Sequence, residues 1–595
     1  MEIRDLCQAC LFVLSMWGYL FALSRLTGIS RWYVPAVCIS AVGLCLYAGA
    51  LLGRLAPVSD AVLLGGAACF VWFLTCVSKG ETGGWRWSLH GVCIGAGMAV
   101  FLVLSTRLRL THYDNFSHWA LTVKYLLLTD NLPGAGSSIV LFRDYPPGSS
   151  LFVYYVCRCA GHGQGMMLLG QNSMLLACFG ALFGVIKEKR RFLLYSFLGM
   201  GCAMLSYLNL TVRINNLLVD FLLPLFALAS IAYSCREEKN FRLLAVQVLL
   251  LGFTGIIKDT GLFFAGAAGV YAAYRMICNA VRGQRRERGK DAGTGVRRKG
   301  MRGLGTVLLL FLLAAGTLAP YLLWQRHVRT ELAGFEGKFR IAGNAEAGKA
   351  LHLQIIRDFL RAATDRSDRA FQVFVLCVLC SAAASASARA VMKCRWKLWK
   401  VLLADILLLA LWYAGMGYLY LYVMPEAEAV RLAGFDRYAC SGMTLFAGIL
   451  ILCAVTDIEG SFAVDIDERG AYRAYSSPGA KRRYQYLVFG TFVVAVNFLY
   501  SEFSGLLVIR DSYGDSLPGR AEALAGDRWR AGGETDDRRY LILAPDEDGQ
   551  MSDGEVRYVF RYFLWAEQVD VMTWKEEKIP EEVLEEYDCV IRMEP

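Results

Sequence analysis

The chain has 595 residues, of which 56% are hydrophobic and 19% are charged, and its formal net charge is +10. Apolar runs of about 20 residues recur along it, each long enough to cross a hydrocarbon core of roughly 30 Å as a helix. This composition excludes an ordinary soluble protein and predicts an all-α polytopic membrane protein. The basic residues cluster in short segments between apolar runs, which is typical of cytoplasmic loops and argues against a nucleic-acid partner.

Four apolar runs, near 6–25, 33–53, 61–78 and 88–105, predict an N-terminal four-span bundle over residues 1–105. Residues 106–163 follow as a long polar loop. Its helical periodicity predicts helices near 115–129 and 149–160, and the second is too short to span a membrane. We expect this segment to be an extracytoplasmic loop with interfacial helices.

Residues 164–510 contain the remaining predicted spans, for a total of about 14. Strongly basic segments at 187–191, 282–302 and 393–397 mark the cytoplasmic side. With that orientation the 111–150 loop and both termini are predicted to be extracytoplasmic, in a cell-membrane protein. The predicted spans of this part are 164–186, 192–209, 217–234, 243–257, 260–279, 304–324, 371–391, 401–423, 441–457 and 486–508.

Residues 511–595 change to a soluble composition. Segments 539–544, 569–574 and 588–592 have the pattern of buried strands, and 553–568 that of a helix. Alternating strands and helices predict a small extracytoplasmic α/β domain with a parallel sheet. It contains no glycine-rich phosphate loop or nucleophile elbow, so we expect an accessory role.

Asp114 stands where the fourth predicted span gives way to the polar loop. One interpretation is a helix cap, with the carboxylate accepting backbone N–H groups. The other is a general base that activates a hydroxyl at the mouth of a cavity. His112, Asp114 and His118 are also candidate ligands of a divalent metal ion, because Asp114 and His118 are separated by one helical turn. Trp119 is either an interfacial anchor or a surface on which a sugar stacks.

Asp144 and Tyr145 precede two prolines that force an extended, rigid path into the next helix. They are candidate substrate-binding residues, although a plain helix-start turn would have the same sequence. Asp220 lies four residues inside a predicted span, where an ionisable side chain is a functional candidate by default.

Lys258 either pairs with its neighbour Asp259 or helps to hold a phosphate. Arg437, followed by Tyr438, stands at the outer end of a late predicted span. Its guanidinium is either an interfacial snorkelling group or a bidentate clamp on a lipid-linked phosphate.

This arrangement resembles the GT-C superfamily of integral-membrane glycosyltransferases, which includes protein O-mannosyltransferases and aminoarabinose transferases. The resemblance covers roughly residues 88–510, although the large loop here follows the fourth predicted span rather than the first. It implies that Asp114 is the catalytic base and that Tyr145, Pro146 and Pro147 shape the loop. It also implies that Arg437 and Tyr438, with Lys258, face the donor phosphate.

The implied activity is an inverting hexosyl transfer from a polyprenyl-phosphate-linked donor at the outer face of the cytoplasmic membrane. The acceptor would be a glycan, a lipid or a protein, and a divalent metal ion is the one candidate cofactor. Two other functions stay open: a flippase or transporter of a lipid-linked glycan, and a surface-polysaccharide polymerase or ligase. A transporter would favour charges deep within spans and internal repeats, and neither is evident in the sequence.

Overall fold

The computed structural model describes residues 3–81, 88–188, 191–288, 295–333, 335, 337, 348–461, 477–529, 533–545, 552–574 and 581–593. Within these residues the protein is mostly helical, with one small parallel sheet near the C-terminus. The fold class predicted from the apolar runs is confirmed at this level.

The first half of the chain forms helices α1 (Ile3–Thr27), α2 (Val34–Leu51), α3 (Leu55–Ser78), α4 (Leu89–Ser105), α5 (Ala120–Thr129), α6 (Gly148–Ala160), α7 (Gln164–Phe183), α8 (Phe192–Leu205), α9 (Leu222–Arg236), α10 (Asn240–Gly255) and α11 (Gly261–Arg288). A π-helical turn, Asn115–Trp119, leads into α5, and a 3-10 turn, Ser206–Asn209, extends α8.

The second half forms α12 (Gly295–Glu331), α13 (Lys349–Ala363), α14 (Arg369–Ala390), α15 (Leu398–Tyr418), α16 (Glu426–Ala429), α17 (Phe435–Ser461), α18 (Pro478–Asp511), α19 (Leu517–Ala525), β1 (Tyr540–Pro545), α20 (Asp553–Leu564), β2 (Val569–Trp574), α21 (Glu581–Leu584) and β3 (Cys589–Arg592). A π-helical turn, Leu419–Val423, follows α15, and a 3-10 turn, Tyr513–Asp515, precedes α19.

Among the described residues, 11 helices are long and apolar enough to cross a membrane: α1, α2, α3, α7, α8, α11, α12, α14, α15, α17 and α18. Three shorter apolar helices, α4, α9 and α10, occupy the other predicted span positions. These helices indicate a membrane protein. The number that cross the bilayer, and their orientation, stay predictions.

The apolar helices form an enclosed centre and an exposed periphery. The most hydrophobic windows of α2, α7 and α17 are 67–72% buried inside the protein, whereas those of α3, α12, α14 and α18 are only 11% buried. Large apolar side chains such as Val307, Phe311 and Phe489 therefore face outwards. Lipid is the environment in which such a surface is stable.

Helix α6 was expected to lie at the membrane interface, and the structure shows that it is enclosed by other helices. Twelve of its 13 residues are buried, and the helix packs against α1, α2, α5 and α7. Only Arg158 is partly exposed, and it pairs with Asp60 and Asp130. The helix is apolar on both faces, so burial on all sides stabilises it more than the one-sided contact of an interface.

The C-terminal domain has the predicted parallel topology. Its sheet has the strand order β2-β1-β3, with Tyr540 opposite both Val569 and Cys589. Helix α20 packs against β2, α19 and the π-helical turn at Asn115–Trp119. The domain is therefore docked on the polar loop of the membrane part.

Lys124 of α5 is the buried centre of this docking contact. Its ammonium group donates to Asp527 Oδ1 at 2.8 Å and to the carbonyl oxygen of Tyr562 at 2.9 Å, and its side chain is fully buried. The rings of Trp529, Tyr562 and Trp565 lie 4.4–5.4 Å from the ammonium nitrogen. Such a cation–π and hydrogen-bonded cage replaces the hydration that the buried charge has lost.

We expect Lys124→Met to loosen the C-terminal domain while α5 stays folded. The substitution keeps the apolar stem but leaves the Tyr562 carbonyl without its donor, at a cost of about 1–3 kcal/mol. Hydrogen–deuterium exchange in α20 should accelerate correspondingly. Lys239→Met, at an exposed lysine, is the control, and equal exchange in both variants would show that the cage does not hold the domain.

Candidate functional site

A cavity of about 610 Å³ opens where the polar loop, the starts of α9 and α17, the end of α10 and the C-terminal domain meet. It is lined by Tyr113, Asp114, Ser117, His118, Trp119, Phe142, Tyr145, Asp220, Lys258, Met424, Glu428, Arg431, Leu432, Ala433, Gly434, Arg437, Tyr438, Ser552, Gly554, Glu555 and Tyr558. Most of the candidate residues identified from the sequence are in this set.

Asp114 and Arg437 meet in this cavity although 323 positions separate them in the chain. Arg437 Nη1 donates to Asp114 Oδ2 at 2.5 Å. Asp114 precedes the π-helical turn but makes no side-chain capping hydrogen bond to it. The helix-cap interpretation is therefore wrong, and the carboxylate is oriented by the guanidinium instead.

A second ion pair adjoins the first. Lys258 Nζ lies 2.9 Å from Asp220 Oδ1, and Arg437 Nη1 lies 4.0 Å from the other carboxylate oxygen of Asp220. Burial alone would raise the pKa of Asp220, but Lys258 and Arg437 outweigh it and hold that pKa below its ordinary value. Lys258 also lies 5.2 Å from the centre of the Tyr438 ring. Two cations and two carboxylates thus form one continuous network.

The local pairing of Lys258 with Asp259 does not occur. Asp259 instead accepts a hydrogen bond of 3.1 Å from Tyr321. Asp259 has a raised pKa, chiefly because it is buried, and the nearby Asp144 raises it further. Lys258 and Asp259 are adjacent in the chain but contact different partners, and the Lys258 side chain lines the cavity.

The apolar run predicted that Asp220 lies inside a helix, but the structure places it before the helix begins. Helix α9 begins at Leu222, and the chain before it is irregular because side chains satisfy its backbone. Asn115 Oδ1 accepts from the Leu217 amide, and Gln171 donates to the Leu218 carbonyl. Irregular backbone is stable among apolar helices only when its polar groups are paired in this way.

Asn115 and Asn216 tie this irregular segment to the polar loop. Asn115 Nδ2 donates to Asn216 Oδ1 at 2.6 Å, and Asn216 Oδ1 also accepts from the His112 amide. These bonds fix the backbone on both sides of Asp114 relative to Asp220. The two carboxylates are therefore held by the same network of amides.

Gly148, which follows the two prolines before α6, makes a close contact with the segment after α10. The Gly148 amide donates to the Ile256 carbonyl at 2.7 Å, and a Cβ at Gly148 would lie only 2.6 Å from that oxygen. Only glycine permits this approach. It brings Tyr145 to the segment that carries Lys258.

Tyr145, His118 and Trp119 form an aromatic wall beside the ion network. The ring centres of His118 and Tyr145 are 4.8 Å apart and those of Trp119 and Tyr145 are 6.4 Å apart, in edge-on and tilted arrangements. Trp119 is 6% exposed, so the interfacial-anchor interpretation is wrong. The wall places aromatic side chains next to the charged groups of the cavity.

Arg437 reaches the cavity because of a tight turn before α17. Gly434 has a φ of +75°, and a Cβ there would lie 3.3 Å from Arg437 Nη2 and from the Tyr438 ring. The Ala433 carbonyl accepts from Tyr420 at 3.0 Å. Arg437 is thus held inside the protein, in an ion network rather than snorkelling to the surface.

The C-terminal domain contributes Ser552, Gly554, Glu555 and Tyr558 to the cavity wall. Ser552 caps α20 by accepting from the Glu555 amide. Burial raises the pKa of Glu555, and the nearby Asp114 raises it further while Arg431 opposes the shift. The serine followed three positions later by glutamate signals a helix start, but nothing local indicates that this start faces Asp114.

The candidate metal ligands do not form a metal site. Within the described ranges, no group of three or more His, Cys, Asp or Glu side chains is placed to hold a metal ion. His112 Nδ1 accepts from the Asp114 amide, and the Asp114 carboxylate is committed to Arg437. His112 lines a smaller adjoining cavity instead.

Asp144 is the one predicted substrate-binding residue that does not line the cavity. Its backbone carbonyl accepts from Trp324 Nε1 at 2.9 Å, and burial raises the pKa of its carboxyl group. Asp144 is therefore placed beside Trp324, outside the lining of the cavity.

No family model matches this chain, and no curated protein or solved structure matches it significantly. The resemblance to the GT-C superfamily therefore rests on the residues and their arrangement alone.

His118 should make the stability of the protein depend on pH. Burial lowers its pKa to about 3, while the unfolded chain takes up this proton near pH 6.5. The unfolded state thus binds more protons between these values, so stability should fall as the pH drops from about 6.5 towards 3. His118→Gln should flatten the dependence of Tm on pH in this window. His162→Gln, at an exposed position, is the control and should keep the wild-type slope; an equal slope in all three proteins would contradict the assignment.

Proposed function

We propose that this protein is an integral-membrane glycosyltransferase that moves a sugar from a polyprenyl-phosphate-linked donor to an acceptor at the outer face of the cytoplasmic membrane. The observation that carries the proposal is the contact between Asp114 and Arg437 inside a cavity that also contains Lys258. A carboxylate and two cations are thereby concentrated beside an aromatic wall.

The two cations suit the donor phosphate. A guanidinium has five N–H donors in a fixed fork, so Arg437 can contact a phosphate and Asp114 together. Lys258, which lies 2.9 Å from Asp220, supplies a second positive charge as a point contact. Both would stabilise the negative charge that develops on the leaving phosphate.

Asp114 suits the acceptor. When the donor phosphate accepts hydrogen bonds from the Arg437 guanidinium, the guanidinium holds the Asp114 carboxylate less tightly. The carboxylate can then accept a hydrogen bond from the acceptor hydroxyl. The hydroxyl oxygen then forms a bond to the anomeric carbon while the bond from that carbon to the phosphate oxygen breaks. The hydroxyl proton passes to Asp114, the bonding electrons leave with the polyprenyl phosphate, and the anomeric configuration inverts.

Trp119 and Tyr145 would hold the sugar, and Glu555 with Tyr558 would face the acceptor from the C-terminal domain. Nucleotide sugars are not available outside the cytoplasm, and a lipid carrier supplies the activated sugar there. The C-terminal domain forms one wall of the cavity. We expect it to contact the acceptor, which is a large molecule whether it is a glycan, a lipid or a protein. We assign no step to a metal ion, because the described residues do not form a metal site.

Asp114→Asn should lower the rate of transfer by about 10²–10⁴-fold, since the amide cannot take the acceptor proton. The assay supplies the protein, reconstituted in lipid, with radiolabelled polyprenyl-phosphate sugars and a cell-envelope acceptor fraction. Asp130→Asn is the matched control, because Asp130 is also paired to an arginine, Arg158, but lies outside the cavity. Wild-type transfer by Asp114→Asn would refute the base; movement of intact donor between leaflets without a new glycosidic bond would favour a flippase.

Arg437→Gln should weaken donor binding roughly tenfold or more, because a charge-assisted contact to phosphate is lost. Retention of labelled donor by the reconstituted protein measures this loss. Arg369→Gln is the control, since Arg369 pairs with the neighbouring Asp436 at 2.9 Å and does not line the cavity. Equal donor retention by both variants would remove the phosphate clamp from the mechanism.

A further inference from the structure

A second cavity, of about 760 Å³, lies at the other end of the bundle. Helix α9 connects the two sites, because Asp220 precedes its first residue and Tyr233 and Arg236 at its last turn line the second cavity. Its 15 residues make the helix about 22 Å long. The second cavity is thus separate from the ion network at Arg437, on the side that the basic loops predict to be cytoplasmic.

The charges that line this cavity are not balanced. Lys187 and Arg236 line it together with one carboxylate, that of Glu237. Glu237 Oε2 accepts from Tyr233 at 3.3 Å and Oε1 accepts from the Lys239 amide at 2.9 Å. Across the residues that the structure describes, no carboxylate lies within ion-pair distance of the Lys187 or Arg236 side chain. The cavity therefore has an excess of positive charge.

A buried hydroxyl group points to a missing hydrogen-bond partner at the same place. Tyr195 lines the cavity and is only 4% exposed, and among the described residues its hydroxyl has no hydrogen-bond partner. The ring is fixed by stacking on His90 at 4.3 Å between centres. A buried polar group without a partner is unusual in a folded protein and calls for a ligand or water that completes it.

We propose that this cavity binds the phosphate group of an anionic phosphate compound. A phosphate has acceptor oxygens for the Arg236 fork, the Lys187 ammonium and the Tyr195 hydroxyl, and it neutralises the excess charge. Two sources have this chemistry: the headgroup of an anionic lipid, which is abundant in a cytoplasmic leaflet, and a soluble phosphate compound. The site is independent of the proposed glycosyl transfer.

The whole 595-residue chain in phosphatidylcholine nanodiscs tests the proposal with two probes. One is phosphatidic acid added to the nanodisc lipid, detected as bound lipid by native mass spectrometry. The other is inorganic phosphate titrated in solution, detected by the shift in Tm. Arg236→Gln should reduce the affinity for the bound probe roughly tenfold. Lys239→Gln makes the same change of charge three positions away and outside the cavity, and should leave it unchanged.

The Tyr195→Phe variant distinguishes an effect on phosphate binding from an effect on the stability of the fold. The Tyr195 hydroxyl has no partner among the described residues, so its removal should leave the Tm measured without a phosphate probe unchanged or higher, while the affinity for the probe falls several-fold. Loss of phosphatidic acid from both cavity variants supports a lipid headgroup as the source, and loss of inorganic phosphate alone supports a soluble compound. If Arg236→Gln and Tyr195→Phe bind both probes as tightly as Lys239→Gln does, the site does not exist.

Discussion

The contact between Arg437 and Asp114 is the interaction on which the candidate site depends. It connects the polar loop after α4 to the start of α17, which are 323 positions apart in the chain. Charges removed from water among apolar helices are stable only when they are paired and hydrogen-bonded. Each of the four charged groups of the network therefore fixes its neighbours, and Asp220 is held near Arg437 partly by Lys258.

The network is possible because irregular backbone reaches it from several sides. The chain before α9, the turn before α17 and the segment after α10 all leave helical geometry near the cavity. Asn115, Asn216 and Gln171 supply the hydrogen bonds that the helices no longer make. Glycine at 148 and 434 supplies the close approach and the positive φ. The polar side chains thus support the geometry of the site as well as its chemistry.

The two ends of the bundle differ in their charge balance. At Arg437 the core network pairs two cations with two carboxylates, so a ligand there has to share existing partners. At Arg236 the cations outnumber the carboxylates, so an anion completes the site. The proposed transfer site and the proposed phosphate site therefore differ in how much of their charge is already paired.

The sequence alone determined the positions of the apolar helices, the parallel sheet near the C-terminus and the residue types of the site. Those features follow from local periodicity and composition, which report burial directly. It did not determine that Asp220 precedes α9, that Lys258 pairs with Asp220 and not Asp259, or that α6 is enclosed. These depend on which distant group satisfies each polar atom.

Only the tertiary structure placed Glu555 and Tyr558 against the cavity, through a docking contact centred on Lys124. A helix-start signal such as Ser552 with Glu555 gives the position of a helix but not the surface that it faces. The polar loop was already identified from its sequence as the candidate site. Its chemical partner, Arg437, required the folded chain, because an ion pair between distant segments leaves no trace in the local pattern of either one.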